Sequence, residues 1–185
     1  ALTIDFSPTG SATEGTDYTT INSISISPGD LTATTEFTLT DDSIYEGDET
    51  ISLTVNTASS TGDFRITNLS NSITIVENES APVVTLSTSA TSIAEDAGSS
   101  LTITATISQV ADEDVTVSIS TAGTALEGTD YSTISDITVS AGSTTGTALF
   151  TPTNDTTYEI DETAIVSISS VSGADEIETI AVSSI

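Results

Sequence analysis

The chain has 185 residues, with 28 Asp and Glu set against one basic residue, Arg65, and a formal net charge of −27. Phosphate backbones and anionic leaflets need Lys and Arg to neutralise them, so nucleic acid and membrane surfaces are excluded as partners. Without Cys or His there are no disulfides, no thiolate metal sites and none of the usual proton shuttles.

The first residues, Ala1-Leu-Thr-Ile-Asp-Phe6, already alternate like a strand and lack a charged start with an apolar stretch behind it. The chain is therefore expected to be an internal piece of something longer. No run of about 18 apolar residues follows, so no membrane insertion by a helix is expected. Farther on, Val, Ile and Leu alternate with Ser and Thr in Ile51–Val55, Leu101–Ile107 and Val115–Ile119. Period two predicts half-buried strands with an aliphatic inner face, and no helical stripe is evident. Turn residues separate these runs at Ser27–Asp30, Ser60–Asp63, Asp96–Gly98, Ser140–Gly142 and Ser172–Ala174. Short strands punctuated this often predict an all-β fold of packed antiparallel sheets.

Glu14-Gly-Thr-Asp-Tyr18 returns as Glu127-Gly-Thr-Asp-Tyr131, an offset of 113 (127 − 14). At that offset 22 of the 39 positions from Ala12 to Thr50 are identical without a gap, so the chain carries a duplicated module. Domains are expected at 1–80 and 81–185, joined near Ala81-Pro82, where proline ends a ladder and extends the residue before it. Because Ala1 aligns with Asp114, the 33 residues 81–113 (114 − 81) have no counterpart in the first copy. The first sandwich is thus expected to lack its N-terminal strands and to receive them from preceding chain or a neighbouring subunit. Ile180–Ile185 aligns roughly with the apolar run Ile73–Val76. Tyr18, Tyr45, Tyr131 and Tyr158 recur in register and are expected to pack in the core or against loops.

Asp41-Asp-Ser-Ile-Tyr-Glu-Gly-Asp-Glu-Thr50 packs five carboxylates into ten residues and recurs as Asn154–Thr163. Sandwich loops cluster at the ends of the sheets, so Asp17 can meet Asp41, Asp42, Glu46 and Glu49. Like charges about 4 Å apart repel by about 1 kcal/mol in water and about 4 kcal/mol at an effective dielectric of 20. With no basic partners, a converging cluster needs a cation. Calcium, which accepts six to eight hard oxygens in irregular geometry, suits these donors better than zinc, copper or magnesium, and the Ile44 carbonyl lies between Asp42 and Glu46. The competing reading is that the acidic residues solvate loops or serve a salt-adapted surface.

These motifs, together with Ile73-Thr-Ile-Val-Glu-Asn-Glu79 and Ser92-Ile-Ala-Glu-Asp-Ala-Gly98, resemble the Calx-β repeat of sodium/calcium exchangers, an integrin subunit and very large bacterial surface proteins. The resemblance implies two tandem immunoglobulin-like β-sandwiches with calcium held by loops at one end. Carried over residue by residue, it implies as ligands Asp17, Asp41, Asp42, the Ile44 carbonyl, Glu46, Glu49, Glu77, Asn78 and Glu79 in the first copy. In the second it implies Glu95, Asp130, Asn154, Asp155, the Thr157 carbonyl, Glu159 and Glu162. Asn154 replaces a carboxylate and the acidic exit is missing there, so the first site, once completed, is expected to bind more tightly.

The reading that follows is a non-enzymatic calcium-binding structural or adhesive module of a long extracellular, bacterial surface protein. Its expected partners are neighbouring repeats or subunits and a carbohydrate or protein adhesion target. An intracellular calcium sensor is the alternative. Glycoside hydrolysis by paired carboxylates would need sugar-stacking aromatics, whereas the chain has no Trp, four Tyr and four Phe.

Overall fold

The computed structural model of the chain describes residues 1–60, 63–67 and 70–173. The expected turn centres at 61–62, the expected turn residue Ala174 and the aligned segment 180–185 lie outside them. Among the described residues the regular elements are strands and one 3-10 turn, and all paired strands run antiparallel. No helix among them is long and apolar enough to cross a membrane. The chain forms two compact units, one of residues 1–43 and 47–78 and the other of 44–46 and 79–185.

The first unit is one four-stranded sheet of β1 (Leu2–Thr9), β2 (Ile24–Ile26), β3 (Glu49–Ser60) and β4 (Ser70–Ile75), in the order β2-β1-β3-β4. Its buried core is small: Ala12, Tyr18 and Ile51, with Ile21, Phe37, Leu53 and Ile75 packed against it. Tyr18 meets Phe37 edge-on at 5.9 Å.

The second unit has two sheets. β5 (Val84–Thr88), β6 (Leu101–Ile107) and β9 (Thr145–Phe150) form one; β7 (Val115–Gly123), β8 (Ile137–Val139) and β10 (Ala164–Ser172) form the other, in the order β10-β7-β8. Alternation decides what faces inward: Val84, Leu86, Ile103, Ala105, Ile107 and Ala148 come from the first sheet, and Val115, Val117, Ile137, Val139 and Val166 from the second. Ser and Thr take the outer positions between them. Two sheets sharing one aliphatic core make a β-sandwich. Tyr131 stacks on Phe150 at 4.7 Å, at the positions equivalent to Tyr18 and Phe37. The segment 44–46 belongs to this unit through Tyr45, whose amide donates to the Val110 carbonyl at 3.0 Å.

The duplication extends to register. Leu2↔Ile26 and Ile4↔Ile24 in the first unit match Val115↔Val139 and Val117↔Ile137 in the second. Both long pairings carry the same bulge, which leaves Asn56 unpaired opposite β1 and Ser169 unpaired opposite β7. Gly10 and Gly123 also correspond. Each has a positive φ (135° and 120°), and an added Cβ would stand 2.0 Å from the carbonyl oxygen of Thr50 or Thr163, so only glycine lets the backbone approach there. That approach pins the end of each acidic loop, since the amides of Ala12 in one unit and of Thr124 and Ala125 in the other donate to the same carbonyls.

The turns at Ser27–Asp30 and Ser140–Ser143 close by hydrogen bonds of 3.1 and 2.9 Å, with Gly29 and Gly142 at the left-handed corner. One aromatic expectation fails. Tyr18, Tyr45 and Tyr131 are buried, but Tyr158 is 92% exposed. The sequence match at Tyr45 and Tyr158 is not accompanied by the pairing that buries Tyr45 against Ala111.

Candidate metal centre

The second unit shows how the fold assembles its carboxylates. In the loop Glu127–Tyr131 the amides of Thr129 and Asp130 donate to the Leu126 carbonyl, while Gly128, at φ 82°, donates to the Tyr131 carbonyl. The turn aims the Asp130 side chain back at its own start, where one carboxylate oxygen accepts from the Leu126 amide at 2.6 Å. The Asp130 carbonyl accepts from the Thr153 amide at 2.9 Å, which fastens the loop beside the start of the acidic stretch Asn154–Thr163. The first unit repeats each contact: Asp17 accepts from the Thr13 amide at 2.5 Å and its carbonyl accepts from the Thr40 amide at 2.8 Å, one residue before Asp41.

The carboxylates of Asp130, Glu159 and Glu162 each place an oxygen within 4.8 Å of the others; of their counterparts at the 113-residue offset, Asp17 is buried and Glu46 and Glu49 are half-buried. Other sequence-proposed residues lie around these groups. Glu95, in the 3-10 turn Glu95–Ala97, accepts from the Asp155 amide, and Asp155 accepts from the Thr157 amide, both at 2.5 Å. Asn154 and Thr157 are exposed in the same loop. In the first unit Asn78 donates from its side chain to Asp41 at 2.9 Å. Glu77 accepts from the amides of Gly47 at 2.7 Å and Asn78 at 2.8 Å, and its own amide donates to Asp48 at 2.9 Å. Asp42 is exposed, whereas Ile44 and Glu79 are half-buried.

Asp48 was not among the sequence candidates, although it fastens the exit segment to the acidic loop. Its recurrence as Asp161 was the available signal.

The electrostatics follow from the crowding. Loss of surrounding water, and after it the charges of Asp130, Asp155, Glu162 and Glu95, hold the Glu159 carboxyl above its ordinary range. Glu162 is raised in the same way, first by loss of water, then by the Asp130 charge and a hydrogen bond with Asp130. Two carboxylates joined by a hydrogen bond share a proton, and a cation can take that proton's place.

The donor set fits calcium. Three atoms no more than 4.8 Å apart can be reached from one centre at about 2.8 Å or less, and Ca–O distances of about 2.3–2.6 Å need only a few tenths of an ångström of closure. Magnesium, at about 2.0–2.1 Å with strict octahedral demands, would need more. All three donors are hard oxygens, and neither His nor Cys is available for zinc or copper.

Among curated proteins none matches the sequence. A solved structure, the calcium binding domain CBD12 of CALX1.1, is similar at 16% identity and a TM-score of 0.37, covering 95% of this chain and 70% of that one. The model of the Calx-beta domain matches twice, over residues 3–80 and 77–184. Calx-beta domains are calcium-binding, non-catalytic modules, and the chain belongs to the Calx-beta domain family.

Proposed function

We propose that this chain is a calcium-binding structural module of a long extracellular surface protein, in which calcium stiffens the joint between successive repeats. The observation that carries the reading is the hydrogen-bonded link between the acidic loop and the exit segment of the first repeat: Asp41 with Asn78, Gly47 with Glu77, and Asp48 with Glu77. The exit segment leads within three residues to Ala81-Pro82. A cation held by the loop therefore acts on the residues from which the linker departs. Bound calcium would supply positive charge that offsets carboxylate repulsion there and restricts the exit backbone.

The residues to hold it are Asp17, Asp41, Asp42, Glu46, Glu49, Glu77 and Glu79 in the first repeat and Glu95, Asp130, Asp155, Glu159 and Glu162 in the second, with the Ile44 and Thr157 carbonyls and the Asn78 and Asn154 side chains completing the shells. The excess of 28 acidic residues over one basic residue keeps repeats apart unless calcium is present, which suits a bacterial surface filament or adhesin in a millimolar-calcium medium. Extracellular modules bind calcium at about 10⁻⁴–10⁻³ M. Neighbouring repeats and a surface target are the partners this reading assigns.

Small-angle scattering of the two-repeat chain with calcium and with chelator tests it. The expected result is a narrower distribution of lengths with calcium; an unchanged profile refutes stiffening. Titration calorimetry separates the roles, since affinities near 10⁻⁶ M would instead fit a sensor.

A further inference from the structure

The second unit is not one continuous stretch of chain. Among the described residues its buried core runs from Val84 to Val166 with one exception, Tyr45, which is 6% exposed and belongs to the same cluster as Ile107 and Ala111. It comes from a three-residue segment, 44–46, whose neighbours Ser43 and Gly47 both belong to the first unit.

The place that receives this segment is an edge fixed by other bonds. The Ser108 amide donates to the Val83 carbonyl at 3.0 Å on one side of Val110–Asp112, and beyond it Asp114 accepts from the Ala141 amide at 2.8 Å. Between these anchors the Ala111 carbonyl accepts from the Gly142 amide at 2.9 Å, and Ala111 is 1% exposed. Main-chain groups of an extended strip alternate in direction, so the Val110 carbonyl and the Asp112 amide serve the opposite edge. Tyr45 takes both: its amide donates to the Val110 carbonyl at 3.0 Å, its carbonyl accepts from the Asp112 amide at 3.4 Å, and the pair Tyr45↔Ala111 forms a parallel bridge. Ile44 and Glu46 on either side are half-buried. Main-chain bonds along an edge, with one side chain sunk beside it, are the components of strand addition, where the bonds supply affinity and the pocket supplies specificity. An aromatic ring offers the largest buried area for one such side chain.

We propose that the edge Val110–Asp112 is a peptide-binding groove of the second unit. Its ligand is a short extended segment of a polypeptide with a central tyrosine between an aliphatic and an acidic residue, and Ile44–Glu46 is a built-in occupant that masks it. Residues 44–46 meet this unit as a ligand does, through two main-chain bonds and one anchoring side chain, without being continuous with residues 79–185. A segment of the same chemistry from another polypeptide fills the groove when the built-in one is withdrawn. The inference stands on the bridge and the burial of Tyr45 and is separate from the calcium reading.

The test uses the whole chain carrying Tyr45→Pro, which removes both the ring and the amide that donates to Val110, with chelator present throughout so that metal plays no part. Hydrogen exchange of the Asp112 amide is expected to speed up, and a synthetic peptide of residues 42–48, Asp-Ser-Ile-Tyr-Glu-Gly-Asp, is expected to restore its protection in a saturable way. The same peptide with Ala in place of Tyr is expected to restore little. Tyr45→Ala, which keeps the backbone donor, replaces the proline variant if that one loses the fold of the second unit. Tyr158→Ala, at the 92% exposed equivalent, is expected to leave the Asp112 amide unchanged. Undiminished protection in the Tyr45 variants, no rescue by the tyrosine peptide, equal rescue by the alanine peptide, or an equal loss from Tyr158→Ala each overturns the proposal.

Discussion

Replacing Asp130 with Asn changes charge with almost no change of shape, and its effects with and without calcium should have opposite signs. The Asp130 carboxylate accepts from the Leu126 amide at 2.6 Å, a bond the Asn carbonyl oxygen retains, so the loop should keep its turn. The same group is one of three whose oxygens lie within 4.8 Å of one another, and its charge is among the causes that raise Glu159 and Glu162. Without calcium the variant relieves that repulsion, and the second unit should unfold at higher denaturant than the parent. With calcium it has lost one of three anionic donors at the centre. Changing a group that only orients a metal ligand costs about 10–100-fold in affinity, so losing a charged donor should cost at least about tenfold. Titration calorimetry on Asp130→Asn reads the loss, with the first repeat's unchanged sites as internal reference, and denaturation in chelator reads the gain. Unchanged affinity, or lower stability in chelator, would refute the carboxylates as one electrostatic unit.

Acidity offers a related test. Glu159 and Glu162 have raised values in the folded state, so the fold holds more protons than the unfolded chain above the ordinary Glu value of about 4.3. Calcium-free stability of the second unit should therefore fall as pH rises from that range through the raised values, and calcium should remove the dependence. Denaturant midpoints across that interval measure it, and Glu162→Gln, with one of the two groups gone, should flatten the slope; an identical slope would contradict the assignment. Gly123→Ala should destabilise the second unit by about 1–3 kcal/mol or more through its strained φ and the 2.0 Å approach to the Thr163 carbonyl. Gly128→Ala, with φ 82° but nothing within 4 Å, should cost less. Ile137→Ala, at a fully buried position, should cost about 2–5 kcal/mol, and Ile24→Ala, at the half-buried equivalent, about 1 kcal/mol. Urea unfolding of each variant decides the comparison, and equal losses would mean that the two faces are equally covered.

Much of the fold was legible because aliphatic residues alternate with Ser and Thr wherever a strand forms, and because the 113-residue offset brings loops and strands into correspondence together. The convergence of Asp17 and Asp130 on their acidic loops could be anticipated from loop clustering, but the means could not. Backbone bonds from Thr40 and Thr153 fasten those aspartates, and main-chain amides carry no residue signature. Asp48 was missed for the opposite reason: its side chain bonds an amide 29 residues away, and nothing in its neighbours distinguishes it from a solvated charge. Tyr158 misled because identity with Tyr45 does not carry over the pairing that buries Tyr45. Residues 32–37 show the same limit, since their alternation reads as strand while strand formation depends on a neighbour elsewhere in the chain.

The shared bulge has a consequence for how these repeats tolerate change. In β10 the inward residues Val166 and Ile168 are followed by Val171, a step of three where strict alternation allows two, and the unpaired Ser169 absorbs the difference. Asn56 does so in β3, between Val55 and Ala58. Deleting either residue would remove the bulge and make the flanking pairs consecutive, Ile168↔Ile119 beside Ser170↔Ser118, so that Val171 would still stand opposite Val117 and face the core. Removal of Ser169 should therefore cost the bulge and the bond its hydroxyl donates to the Ser118 carbonyl at 3.1 Å, while leaving the aliphatic residues on both sides of it facing the core.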